Sequence, residues 1–131
     1  MLTDIQDRGE DSIRALKKVG FLVLGLVAAG LAVVDVVTGR STWLPLIVFA
    51  MAPDLALLAG AGPGLERGQI HPRAVPFYNA AHRFWAPAVL VAVSLLLAPA
   101  WLAAGLGWIA HIAFDRSLGF GLRSPDGFQR A

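Results

Sequence analysis

Cysteine is absent from this chain of 131 residues, and charged residues are scarce at 15%. The lack of cysteine excludes disulfides, thiolate metal sites and cysteine nucleophiles. A soluble domain has about 45–50% apolar and roughly 25% charged residues. This chain is 56% hydrophobic, and its mean hydropathy is +0.64. The composition therefore indicates an integral membrane protein, and the length indicates a single domain over residues 1–131.

A phosphate-binding loop is also absent, because no Lys-Ser/Thr pair follows the glycines at 60–64. The isoelectric point near 9.7 would suggest a nucleic-acid partner in a soluble protein. Here the basic residues flank apolar runs, which is the arrangement that determines membrane topology. The predicted partner is the lipid bilayer, and nucleic acid is not expected.

Four apolar runs predict helices at about residues 12–37, 43–61, 75–98 and 100–118. The apolar part of the first run holds about 19 residues, enough to cross a hydrocarbon core of about 30 Å. A signal peptide is the competing interpretation of that run. Its long polar lead and the lack of a small-x-small cleavage site favour a retained helix. The predicted fold class is all-α, a four-helix transmembrane bundle.

Lysine and arginine are distributed unequally between the connecting segments. They occur in the N-terminal segment, in the loop at 62–73 and at the C-terminal end, whereas the two other loops contain only Arg40. By the positive-inside rule, both termini and the middle loop are cytoplasmic. The sequence therefore predicts a multi-pass protein of the cell (inner) membrane.

Polar residues inside the predicted helices are the candidate site. Asp54, His82 and His111 each lie about seven residues from the cytoplasmic end of a helix, so they share a depth of about 10 Å. Asp115 follows His111 by four residues and lies on the same helix face. An ionisable group at the centre of a membrane helix costs about 2.5–3.5 kcal/mol. This layer therefore calls for a structural or functional explanation.

Three interpretations of the layer are open. The favoured prediction is a hydrogen-bonded network that holds the bundle together. Alternatively, Asp54, His82, His111 and Asp115 bind one divalent metal ion, Zn²⁺, Mn²⁺ or Fe²⁺. The third interpretation is a small transporter or proton pathway, which would require a homo-oligomer. No catalytic residue or substrate follows from the sequence.

Three further polar residues lie close to the layer in the third run. Tyr78 and Asn79 precede His82 by four and three residues, so each lies near it on the helix surface. Arg83 is a candidate counter-charge for Asp54 or Asp115. We expect these three residues to support the layer.

Three motifs resemble a bacterial membrane family known as domain of unknown function forty-two sixty. They are Pro53-Asp54-Leu55, Tyr78-Asn79-x-x-His82 and His111-Ile112-x-x-Asp115-Arg116-x-x-Gly119-Phe120-Gly121-Leu122. The resemblance covers about residues 43–128 and implies a four-helix membrane protein without an established activity. The order of Asp and His residues also resembles small membrane-bound metal-dependent hydrolases, which implies a metal-dependent activity.

Overall fold

Every apolar run of the sequence is helical in the computed structural model, which describes residues 1–130. Among those residues there is no strand, only an isolated bridge between Arg123 and Gln129. The all-α prediction is therefore confirmed. The helices are α1 (Leu2–Val37), α2 (Trp43–Met51), α3 (Leu55–Ala59), α4 (Val75–Ala81), α5 (Trp85–Leu97) and α6 (Leu102–Ser117).

The first helix is longer than predicted. It begins at Leu2 rather than at about residue 12. The polar N-terminal segment contains no proline, and Asp4 with Arg8 and Glu10 with Arg14 are spaced four residues apart. Oppositely charged residues at this spacing stabilise a helix by a few tenths of a kcal/mol per pair. The helix therefore continues through a segment that has no apolar periodicity.

The second and third predicted helices are each interrupted in the structure. A 3₁₀ turn, Ala52–Asp54, separates α2 from α3 and contains Pro53. The third helix begins with the 3₁₀ turn Pro72–Ala74 and breaks after α4, before α5 starts at Trp85. Pro87 lies in the first turn of α5, where its missing N–H is tolerated, but its ring would clash with a helical carbonyl four residues earlier. The break therefore falls just after His82.

The central helix of the fold is α6, which packs against α1, α2 and α5. It follows a 3₁₀ turn at Pro99–Trp101, so it starts two residues later than predicted. Small residues permit close approach: a Cβ added at Gly25 of α1 would lie 2.7 Å from the Phe114 ring, and one at Gly107 would lie 2.5 Å from Leu46 of α2. These contacts fix the side of α6 that faces α1 and α2.

The outer surface of the helices is strongly apolar. Two stretches, Leu2–Val37 and Pro72–Leu97, are long and apolar enough to cross a bilayer, while the apolar stretch Trp43–Ala59 is shorter. In the most apolar 18 residues of each stretch, only 28% are buried inside the protein for Leu2–Val37 and 17% for Pro72–Leu97. Large side chains such as Leu96 are therefore left on the surface, 81% exposed in that case.

The C-terminal segment after α6, as far as residue 130, is folded against α4 and the loop before it. Arg123 is buried and donates hydrogen bonds to the carbonyls of Gly68 and Gly127 at 2.9 and 2.8 Å. Its guanidinium lies 4.8 Å from the centre of the Tyr78 ring. The Asn79 side chain accepts from the Arg123 N–H at 2.7 Å and donates to its carbonyl at 3.0 Å. The C-terminal segment of the chain therefore packs against α4 and helps to hold it in place.

Candidate metal centre

Four side chains from three helical segments converge at one end of α6. Asp54 ends the 3₁₀ turn after α2, and His82 directly follows α4. His111 and Asp115 lie one turn apart on α6. One nitrogen or oxygen atom of each residue lies within 4.8 Å of those of the other three. The structure thus brings together all four residues that the sequence analysis selected as possible ligands.

Five of the six separations within this cluster are nearly equal, and the sixth, between the carboxylate oxygens of Asp54 and Asp115, is at most 4.8 Å. His82 Nε2 lies 3.4 Å from Asp54 Oδ1 and 3.2 Å from Asp115 Oδ2. His111 Nε2 lies 3.2 Å from Asp54 Oδ1 and 3.3 Å from Asp115 Oδ2. The two Nε2 atoms are 3.3 Å apart. The four atoms therefore surround one small central space.

The second nitrogen of each imidazole ring is bonded to a backbone carbonyl. His82 Nδ1 lies 2.8 Å from the Tyr78 oxygen, and His111 Nδ1 lies 2.7 Å from the Ala50 oxygen. A carbonyl oxygen can only accept, so each Nδ1 carries the hydrogen. In the neutral ring the Nε2 atom then presents a lone pair. Both rings consequently direct lone pairs toward the two carboxylates.

Four acceptor atoms this close together repel one another unless positive charge lies among them. An N–H hydrogen added to one ring points in one direction, so the three neighbouring atoms cannot share it equally, whereas a central cation contacts all four atoms. Donor atoms bound tetrahedrally at about 2.0–2.1 Å lie about 3.3–3.4 Å from one another. The five separations of 3.2–3.4 Å match that spacing. The cluster therefore has the donor atoms and the size of a four-coordinate metal site.

Both carbonyls lie near helix ends, and the Tyr78 carbonyl accepts the His82 backbone N–H at 3.1 Å as well as the ring N–H. Ala50 lies at the end of α2, just before the 3₁₀ turn that contains Pro53, and Tyr78 lies in the last turn of α4. The Tyr78 ring also stacks on the His82 ring, with 3.9 Å between the ring centres. Metal-binding histidines usually donate their other N–H to such a carbonyl, which fixes the ring orientation. Both histidines are oriented in this way.

Two residues of α6 hold the end of α4 in place. Trp108 Nε1 donates to the Ala81 carbonyl at 2.7 Å, and Arg116 Nη2 donates to the His82 carbonyl at 3.3 Å. These bonds satisfy carbonyls that the helix end leaves free. No role for either residue is predicted from the sequence. The position of Arg116 next to Asp115 is the one sequence feature that indicates a role near the cluster. Trp108 cannot be distinguished by sequence from an aromatic residue at the membrane interface.

The three predicted supporting residues have different environments. Tyr78 contacts the cluster through its ring and its carbonyl. Asn79 instead binds the backbone of Arg123. Arg83 is exposed and forms no ion pair within residues 1–130. The prediction that Arg83 balances Asp54 or Asp115 is therefore wrong, because the chain turns at the end of α4 and leaves Arg83 on the surface.

The cluster is closed on one side and open on the other. The side chains of His82 and His111 are 3% and 11% exposed, against 23% for Asp115 and 46% for Asp54. The imidazoles thus lie inside the bundle and the carboxylates lie toward its surface. Any group approaching the cluster from outside meets Asp54 first.

These features define the class of protein: an all-helical chain with an apolar surface and a cluster of two histidines and two aspartates. The chain belongs to the family Domain of unknown function (DUF4260), whose model matches residues 21–131 and so includes all four cluster residues. This confirms the family that the sequence motifs indicated. The resemblance to membrane-bound hydrolases is not shown by any comparison. No curated protein and no solved structure matches the chain.

Proposed function

We propose that this chain is a membrane protein that binds one divalent metal ion, Zn²⁺ in preference to others, through Asp54, His82, His111 and Asp115. The observation that carries the proposal is the convergence of four acceptor atoms with five separations of 3.2–3.4 Å. Two imidazoles and two carboxylates are a ligand set that Zn²⁺ binds with four-coordinate geometry. Mg²⁺ and Ca²⁺ favour six or more oxygen ligands.

The favoured interpretation of the sequence was a hydrogen-bonded network without metal. Such a network needs a donor for each acceptor. Both Nδ1 hydrogens are directed at backbone carbonyls, so none is available inside the cluster unless a ring gains a proton. A bound cation removes this shortage of donors. The metal would also join α6, the end of α4 and the turn after α2, so it would stabilise the bundle as the network was expected to do.

Titration with Co²⁺ tests the metal proposal, because the geometry of the ligands determines the visible spectrum of this ion. We expect the purified protein to bind one Co²⁺ per chain with the strong visible absorption of a four-coordinate ion. Zn²⁺ should remove that absorption by displacing Co²⁺. Weak binding with the pale spectrum of a six-coordinate hydrated ion would count against the proposed site.

The placement of the chain in a membrane is the second part of the proposal. It is supported by the low burial of the two long apolar stretches, since a core helix of a soluble protein would bury most of such a stretch. It is also supported by large exposed apolar side chains, which lipid would cover. Four crossings with both termini cytoplasmic agree with the distribution of lysine and arginine. The metal then lies in the cytoplasmic half of the bilayer.

Single-cysteine labelling tests this topology, and the native chain gives no background because it contains no cysteine. Arg67→Cys is expected to react with a membrane-impermeant reagent only from the cytoplasmic side, and Thr42→Cys only from the opposite side. Both positions are exposed, and the Thr42 side chain makes no capping hydrogen bond. Labelling of both positions from the same side would contradict four crossings.

A further inference from the structure

A groove of about 410 Å³ extends from the cluster along the surface of the bundle. Its walls come from α1, α2 and α6, and its volume lies within the range of small-molecule sites. Three of the four cluster residues, Asp54, His111 and Asp115, line one end. The rest of the lining is apolar: Ala29, Val33, Leu46, Ala50, Gly107, Ala110 and Phe114.

The groove is polar at one end and apolar at the other. On α6 it runs from Asp115 to Gly107, a distance of about 12 Å at 1.5 Å per residue. On α1 it passes Ala29 and ends at Val33, which is 42% exposed. With both termini cytoplasmic, the polar end faces the cytoplasmic surface and the apolar end faces the middle of the bilayer. A lipid of the cytoplasmic leaflet has the same polarity and direction.

A cation lies beyond the polar end. A Cβ built at Gly119, four residues past Asp115, would lie 3.5 Å from Lys18 Nζ. Lys18, Gly25 and Ala29 are seven and four residues apart, which places them on one face of α1. The lysine ammonium therefore lies near Gly119, four residues beyond Asp115, where its positive charge favours an anion.

We infer that the groove binds one acyl chain of a phospholipid whose phosphate monoester head group reaches the metal beside Asp54. This inference rests on the proposed metal centre. Asp54 is the most exposed of the four ligands, at 46%, so a phosphate oxygen can approach from its side. Zn²⁺ accepts a fifth ligand, so the lipid need not displace a protein ligand.

The test uses the full chain, loaded with Co²⁺, in nanodiscs of phosphatidylcholine with and without phosphatidic acid. We expect phosphatidic acid to change the visible Co²⁺ spectrum in a saturable way. Inorganic phosphate at the same total concentration should leave the spectrum unchanged, because it lacks the chain that fills the groove. An equal effect of inorganic phosphate would overturn the inference.

Ala29→Phe places a ring in the groove away from the four ligands. It should keep the Co²⁺ spectrum seen in phosphatidylcholine alone, yet raise the half-saturating fraction of phosphatidic acid by about tenfold or more, since added volume in a packed site is costly. Ala92→Phe is the matched control, because Ala92 is an exposed residue of α5 outside the groove. It should respond as the wild type does. If Ala29→Phe fails to bind Co²⁺, Val33→Trp tests the same point from the far end of the groove.

Negative results with Co²⁺ and with phosphatidic acid distinguish an error in the metal centre from an error in the lipid inference. If wild-type protein binds no Co²⁺, the proposed metal centre is wrong and the lipid inference falls with it. If Co²⁺ binds normally but phosphatidic acid leaves its spectrum unchanged, the metal centre stands and the lipid inference is wrong. An unchanged response in both groove variants would likewise overturn the assignment of the acyl chain to the groove.

Discussion

His82→Ala is expected to abolish metal binding at micromolar metal concentrations. His82 is the most deeply buried of the four residues, and its Nε2 lies 3.2–3.4 Å from the donor atoms of the other three. Loss of an outer hydrogen-bond partner lowers metal affinity by about 10–100-fold. Loss of a ligand should have a larger effect, so we expect a decrease of more than about 100-fold. Competitive titration of Zn²⁺ against a chromophoric chelator measures it.

His71→Ala is the matched control for this substitution. His71 is exposed, lies in the loop before α4, and uses its Nδ1 to accept a hydrogen bond from the Arg73 N–H. The same side chain is removed in both variants, but only His82 belongs to the cluster. His71→Ala should keep wild-type affinity. Equal affinity in His82→Ala and the wild type would contradict the ligand assignment.

A strong chelator is expected to lower the melting temperature of the wild-type protein in detergent. A ligand that binds only the folded state stabilises it by RT ln(1 + [L]/Kd), which is about 2.7 kcal/mol at a free concentration of 100 Kd. Chelation removes this stabilisation. Thermal unfolding followed by circular dichroism, with and without chelator, measures the difference.

Two variants separate the metal account from a network without metal. His111→Ala and Asp54→Asn should each melt at the same temperature with and without chelator, because neither retains a complete ligand set. A metal-free network also loses about 1–3 kcal/mol for each orphaned buried group, so a lower melting temperature alone does not distinguish the two accounts. A wild-type melting temperature that is the same with and without chelator would favour the metal-free network.

Much of the cluster could be predicted from the sequence because depth in a membrane follows from position in a helix. Asp54, His82 and His111 each lie about seven residues from a predicted cytoplasmic end, and helices of constant rise place such residues in one layer. Asp115 follows His111 by four residues and so lies on the same helix face, which added it to the predicted cluster as the fourth residue. The structure brings these four side chains together, as that argument predicted.

Other features depend on contacts between distant parts of the chain. Arg83 follows His82 directly, yet the break after α4 places it on the surface, and this break depends on Pro87 and on bonds from Trp108 and Arg116. The buried Arg123 depends on carbonyls of Gly68 and Gly127 that no local pattern shows to be nearby. Periodicity describes one helix at a time, so it does not predict such contacts.

Elemental analysis of the protein, purified without added metal, measures directly whether the cluster holds a metal ion. We expect about one zinc ion per chain in the wild type, bound by four protein ligands, and almost none in His82→Ala prepared in parallel. His71→Ala should match the wild type. A wild-type content far below one ion per chain that does not rise after dialysis against Zn²⁺ would contradict the metal centre.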